Sequence, residues 1–109
     1  MARRVARGDV WLYQFAPPDK RRPVVVLSRH SAIAVLSTVM VAPITSTIRG
    51  HVAEVGLGVD DGMKESCAVS LDHVTTVRQA DLRRYISTLG PERMAQVCAA
   101  LAVATGCTT

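Results

Sequence analysis

Arg22-Pro23-Val24-Val25-Val26-Leu27-Ser28 is the stretch whose reading decides the fold. Pro23 pushes Arg22 into an extended conformation. Three β-branched valines and a leucine follow with no polar alternation, which predicts a strand buried on both faces. Upstream, Val10–Phe15 does alternate: Trp11, Tyr13 and Phe15 share one face, and Val10, Leu12 and Gln14 the other. That is a second strand, and its aromatic face reads as core rather than as a base-stacking platform. Ala16–Arg22 joins the two, and its two prolines and adjacent cations Lys20, Arg21 and Arg22 predict an exposed loop.

Working outward, Arg29–Ser37 reads as a connection of mixed polarity and Thr38–Ile44 as the next strand. Pro43 cannot donate to a ladder, so this strand is expected to end, bulge or lie at an edge there. Short strands are expected at His51–Val55, Ser66–Leu71, His73–Arg78 and Tyr85–Leu89, with a loop over Gly56–Glu65 and one helical turn over Gln79–Arg84. Pro91 marks a helix start with Glu92 in its first turn. Met94, Val97, Cys98, Leu101 and Ala102 recur at three- and four-residue steps, which places Cys98 on a buried face. Gly106 is positioned as its C-terminal stop. Five to seven short strands and a terminal helix make the fold mainly β, a small, partly closed β-barrel with a C-terminal α-helix.

The chain has 109 residues, enough for one domain over 1–109. It is 49% hydrophobic and 20% charged, as a folded globular protein is. Thirteen Lys+Arg against nine Asp+Glu leave a net charge of +4, which favours a polyanionic partner. No apolar run reaches the roughly 18 residues of a membrane span, and the first residues are not a signal peptide, so a cytoplasmic protein with no membrane partner is expected. Cys67, Cys98 and Cys107 are odd in number and lack C-x-x-C spacing, and His30, His51 and His73 are scattered. No disulfide framework and no metal site is expected from them. There is no G-x-S-x-G, P-loop or G-x-G-x-x-G motif. Arg7-Gly8-Asp9 reads as a bend at Gly8 before the first strand rather than as an adhesion motif.

What remains is a chemistry of guanidinium and hydroxyl groups. Lys20-Arg21-Arg22 leads into one strand; Thr45-Ser46-Thr47 leaves another, with Arg49 behind it; Asp72 lies between two strand candidates. Guanidinium grips phosphate bidentately and stays charged at any cellular pH.

The order of these segments resembles the MazF/PemK/Kid toxins, the ribonuclease half of toxin–antitoxin pairs. Arg7-Gly8-Asp9-Val10-Trp11 is like the family's opening RGD-[IV]-[WY], and Arg22–Ser28 like its RP-[AV]-[LV]-V-[IL]-S strand. Val41-Ala42-Pro43-Ile44-Thr45-Ser46 is similar to V-[AV]-P-[IL]-T-[ST], and Ser70–Val77 to the segment around [DE]-Q-[IL]-R-[ST]-[IV]. The resemblance implies an SH3-like barrel that forms a homodimer. It implies an endoribonuclease that cuts single-stranded RNA (messenger, transfer or ribosomal) without metal or cofactor. The nucleophile would be the substrate's 2′-hydroxyl, and the products 2′,3′-cyclic phosphate and 5′-hydroxyl ends. A cognate antitoxin peptide is the implied inhibitor.

Carried over by motif position, the resemblance makes Arg22 and Thr45 the catalytic pair. It sets Ser46 and Asp72 beside them as RNA-binding residues, and Lys20, Arg21, Arg49 and His73 complete the expected RNA contacts. Asp72-His73 stands where the family has Glu-Gln, and Thr75 where an arginine is common. A gyrase-directed toxin of the CcdB type, on the same barrel, is the alternative; a non-catalytic basic nucleic-acid module is a third reading.

Overall fold

The computed structural model describes residues 3–18 and 20–107. Seven strands and two helices follow one another: β1 (Asp9–Gln14), β2 (Arg21–Val26), α1 (His30–Val35), β3 (Thr38–Thr45), β4 (Glu54–Leu57), β5 (Cys67–Ser70), β6 (Thr75–Arg78), β7 (Arg84–Thr88) and α2 (Pro91–Ala104). Single 3-10 turns stand at Val59–Asp61, Leu71–His73 and Gln79–Asp81. All pairings are antiparallel, in the order β4-β5-β3-β2-β1-β7, with β6 also on β3.

The sheet curls at β3. On one side β3 pairs β2 through Val41–Pro43; on the other it pairs β6 through Thr38–Val41 and then β5 through Ile44 and Thr45. Pro43 stands where the second partner changes. The strand runs through it to Thr45 instead of ending, and a missing N–H is tolerated at such an interruption. A register shift between Val10 and Trp11 bends β1 against β7.

The double burial expected of β2 is observed: Val24, Val25 and Val26 are fully buried. Val25 packs with Val10, Ala42, Ile44, Val69, Leu71 and Val97 beneath α2. Val24 and Val26 pack on the other face with Trp11, Val39, Val41, Val77 and Leu82. The aromatic face is core only at its start. Trp11 is buried, while Tyr13 and Phe15 are half-buried and meet edge to face at 4.8 Å.

The Arg7-Gly8-Asp9 segment is structural. Gly8 takes φ +87°, donates its N–H to the Val26 carbonyl at 2.9 Å, and accepts the Leu89 N–H at 2.9 Å. Asp9 is completely buried, an assignment the sequence reading missed. Its Oδ1 accepts from the Arg3 guanidinium and the Thr88 hydroxyl, each at 3.0 Å. Its Oδ2 accepts from the Ala6 N–H at 3.0 Å and the Trp11 indole N–H at 3.1 Å.

Three sequence expectations need correction. The strand expected at His51–Val55 lies instead at Glu54–Leu57 and takes the first two residues of the loop expected over Gly56–Glu65. The connection Arg29–Ser37 contains helix α1, which has no side-chain cap. It is held from outside by the Gln79 amide, within 3.2 Å of the carbonyls of Ile33, Leu36 and Thr38. Cys98 is exposed, not buried. The helix turns by about 100° per residue. Its buried side centres on Val97, with Met94, Ala100, Leu101 and Ala104 beside it, and Cys98 falls beyond that arc. Its sulfur accepts a contact from the Arg7 guanidinium at 2.9 Å. Gly106 does stop α2: it takes φ +72°, its N–H reaches the Val103 carbonyl, and the Cys107 N–H reaches Ala102, the Schellman arrangement.

Candidate active site

Four chain segments meet at one end of the curled sheet around a cleft of about 510 Å³. Arg22 enters from β2. It pairs with Tyr13 of β1, and its guanidinium lies 5.9 Å from the centre of the Phe15 ring. Thr45 closes β3. Its hydroxyl oxygen accepts the Thr47 N–H at 3.1 Å, which turns the chain and leaves the hydroxyl proton available to a ligand.

The next segment carries Thr47, Arg49 and His51 into the same cleft. Glu54, at the start of β4, shapes it. The Glu54 Oε1 accepts the N–H groups of Arg49 at 3.2 Å and Gly50 at 2.9 Å, while Gly50 adopts φ +73°. The fourth wall follows β5. The 3-10 turn buries Leu71 and leaves Asp72 and His73 exposed, and the His73 Nδ1 lies 2.7 Å from the Ser70 hydroxyl.

The cleft therefore unites Arg22, Thr45, Arg49, Asp72 and His73 from β2, β3, the loop after β3 and the turn after β5. It does not take in Lys20, Arg21 or Ser46, which are exposed elsewhere. Strand pleating explains Arg21: it neighbours Arg22 in β2 and so points to the opposite face. The motif position singles out Arg22, and the register of β2 turns that same residue toward the cleft. The residues it missed are Phe15, Pro43, Thr47, His51, Glu54, Ser70 and Thr75. Phe15 was assigned to the aromatic core, and Glu54 acts through backbone groups, which leave no mark on composition. His51 and His73, scattered along the sequence, line one cleft.

The cleft's charges are balanced between the Arg22 and Arg49 guanidinium groups and the Glu54 and Asp72 carboxylates, with two imidazoles and several hydroxyls among them. Guanidinium and hydroxyl donors converging from separate strands can bind a phosphate group and stabilise charge that develops on it. Among the described residues no group of three His, Cys, Asp or Glu side chains is placed to hold a metal ion. A second, larger cleft of about 760 Å³ lies beside α1, with Arg3, Trp11, His30 and Tyr85 in its walls. It contains none of the site residues expected from the sequence.

Comparison with known proteins agrees with the fold and the motif order. The family of PemK-like, MazF-like toxins of type II toxin–antitoxin systems matches residues 6–105. The Mycobacterium tuberculosis protein named probable endoribonuclease MazF5 is 46% identical over 103 residues, covering 94% of each chain. Probable endoribonuclease MazF2 of the same species is 35% identical over 102 residues, covering 93% of this chain and 98% of that one. The solved structure of the M. tuberculosis toxin MazF-mt6 superposes with a TM-score of 0.81 at 33% identity, covering 90% of this chain and 96% of that one. No helix of the described residues is long and apolar enough to cross a membrane. Motif order, curled sheet and family match lead to one conclusion: the chain belongs to the PemK-like, MazF-like toxins of type II toxin–antitoxin systems.

Proposed function

We propose that this chain is an endoribonuclease toxin that cuts single-stranded RNA at selected sequences, using the substrate's 2′-hydroxyl as nucleophile. One observation carries the reading: Arg22 and Thr45, which occupy the family's catalytic motif positions, line a single cleft although they come from different strands. In the proposed reaction the scissile phosphate sits between them. Arg22 binds its non-bridging oxygens and stabilises the added charge of the phosphorane, and Thr45 donates its hydroxyl proton to one of the same oxygens. Arg49 extends the positive wall along the RNA backbone. Phe15, half-buried at the cleft edge, offers a ring face to a neighbouring base. Asp72 and Thr75 supply the polar contacts that discriminate bases.

The products are a 2′,3′-cyclic phosphate and a 5′-hydroxyl. No metal or cofactor takes part, because the guanidinium groups supply the positive charge the phosphate needs. The active species is a homodimer. An antitoxin peptide restrains it, its acidic side chains competing with RNA for Arg22 and Arg49.

The test is purified protein against total RNA in EDTA, with sequencing of all 5′-hydroxyl ends. A shared motif is expected at the new ends. Arg22→Ala is expected to lower the cutting rate by roughly 10²–10³-fold, the cost of removing one preorganised donor to a developing oxyanion. Thr45→Val is expected to fall in the same range. Full-rate cutting by Arg22→Ala refutes its role; intact RNA from folded wild-type protein refutes the enzyme reading and directs attention to protein targets such as gyrase.

A further inference from the structure

Cleavage by a 2′-hydroxyl requires two proton transfers, one off the nucleophile and one onto the leaving 5′-oxygen. Arg22 is a poor proton acceptor because guanidinium stays charged at all working pH, and a threonine hydroxyl is no better. The titratable and charged groups facing the cleft are Arg22, Arg49, His51, Glu54, Asp72 and His73. The Glu54 carboxylate is engaged with two backbone N–H groups. Histidine is the side chain most often used as general base or general acid, and two of them, His51 and His73, stand in the cleft.

The two histidines are placed as a pair by the β4·β5 ladder. Its terminal partners are Glu54 and Ser70. The ladder continues one step further, with the Leu71 N–H donating to the Ala53 carbonyl at 2.9 Å. His51 lies three residues before Glu54 and His73 three residues after Ser70, so the two leave the same end of the ladder at matching positions. His73 is the more constrained. In the tautomer whose Nδ1–H donates to the Ser70 hydroxyl 2.7 Å away, Nε2 carries a free lone pair, and taking a proton there leaves the orienting bond intact.

We propose that His73 accepts the proton of the 2′-hydroxyl and that His51 donates a proton to the departing 5′-oxygen. The proposal rests on the ribonuclease reading and deepens it. As the 2′-oxygen bonds to phosphorus, its proton passes to the His73 Nε2. As the bond from phosphorus to the 5′-oxygen breaks, that oxygen takes a proton from the His51 imidazolium. The cycle leaves His73 charged and His51 neutral, and exchange with water resets both.

The experiment uses the full chain and a short RNA containing a cut site mapped from total RNA. A second version of that RNA carries sulfur in place of the 5′-bridging oxygen, which departs as thiolate without a proton. His51→Gln and His73→Gln are each expected to cut the oxygen substrate about 10²-fold or more slowly, the usual range for a lost general acid or base. Sulfur is expected to restore His51→Gln to within about 10-fold of wild type and to leave His73→Gln slow. The wild-type pH–rate profile is expected to be bell-shaped. Its acid limb disappears in His73→Gln and its alkaline limb in His51→Gln.

Both histidines are exposed, so folding should be untouched; circular dichroism and the urea midpoint check it. Wild-type rates in both variants, with Arg22→Ala inactive, overturn this proposal and leave the ribonuclease reading standing. A His51→Gln protein equally slow on both substrates overturns the donor role. RNA left intact by the wild type overturns the proposal together with the reading beneath it.

Discussion

Replacing Asp9 by alanine probes the anchor on which β1, β7 and the chain start converge. The carboxylate is fully buried and accepts from four donors. Two of these are recoverable, because Arg3 and Thr88 are exposed and can turn to water. Two are not: the Trp11 indole N–H lies in a buried side chain, and the Ala6 N–H lies in half-buried backbone. Each donor left unsatisfied costs about 1–3 kcal/mol, so Asp9→Ala is expected to cost about 2–6 kcal/mol in all.

For a domain near 100 residues that corresponds to a melting temperature lower by roughly 10–30 °C. Asp9→Asn keeps the size and one carbonyl oxygen, which can face Trp11 and Ala6, and is expected to cost about half as much. The assay is urea denaturation followed by far-UV circular dichroism at one fixed protein concentration, since association shifts apparent stability. Trp11, the single tryptophan of the chain, adds a local fluorescence signal. A loss under about 0.5 kcal/mol in Asp9→Ala, or equal losses in the two variants, would refute the argument that unsatisfied buried donors set the cost.

Gly62→Ala is expected to destabilise by about 2–3 kcal/mol, because φ is +85° there and an added Cβ would stand 2.6 Å from the Ser87 Cβ. Gly50→Ala, at φ +73° with open space around it, should cost only about 1–2 kcal/mol; equal urea midpoints for the two would contradict the clash. Acid stability should depend on Asp61. Its burial raises the carboxyl pKa, but the hydrogen bonds from Arg93 and the Gly58 N–H outweigh that and hold it below the ordinary value. A depressed folded pKa means stability that is complete above the ordinary carboxylate pKa of about 3.9 and is lost as pH falls through the folded value. Arg93→Gln should weaken the protein at pH 6 and flatten that acid-side slope; urea midpoints taken between pH 2 and 6 measure both, and an unchanged slope would discard the pairing.

Local patterns carried most of the fold. The alternation of Val10–Phe15, the unbroken Val24–Leu27 run and the Pro91–Gly106 helix are each written within a few residues, and each appears where its pattern sets it. The misreadings are tertiary in cause. Helix α1 has six residues and no cap, and it depends on Gln79 from far along the chain. Cys98 satisfies a helical apolar period, yet the sheet meets only the arc centred on Val97. Asp9 looked like part of a bend because nothing nearby reveals that Arg3, Trp11 and Thr88 converge on it.

The site divides in the same way. Arg22, Thr45 and Asp72 follow from their motif positions, Arg49 from its place behind the Thr45–Thr47 run, and His73 from its place beside Asp72. That Arg22 and not Arg21 enters the cleft follows from the pairing of β2 with β1, since a strand sends neighbouring side chains to opposite faces. The entry of Phe15, His51, Glu54 and Ser70 into the cleft waited on the β4·β5 ladder and the curl at β3. The sequence by itself determined most of the strands, the terminal helix and a set of candidate site residues, because periodicity, turn chemistry and motifs act over a few neighbouring residues. Only the tertiary structure decided which of those residues share a cleft, because the site is built from non-local pairings between segments as far apart as Phe15 and Thr75, and the register of a ladder is a property of two strands together.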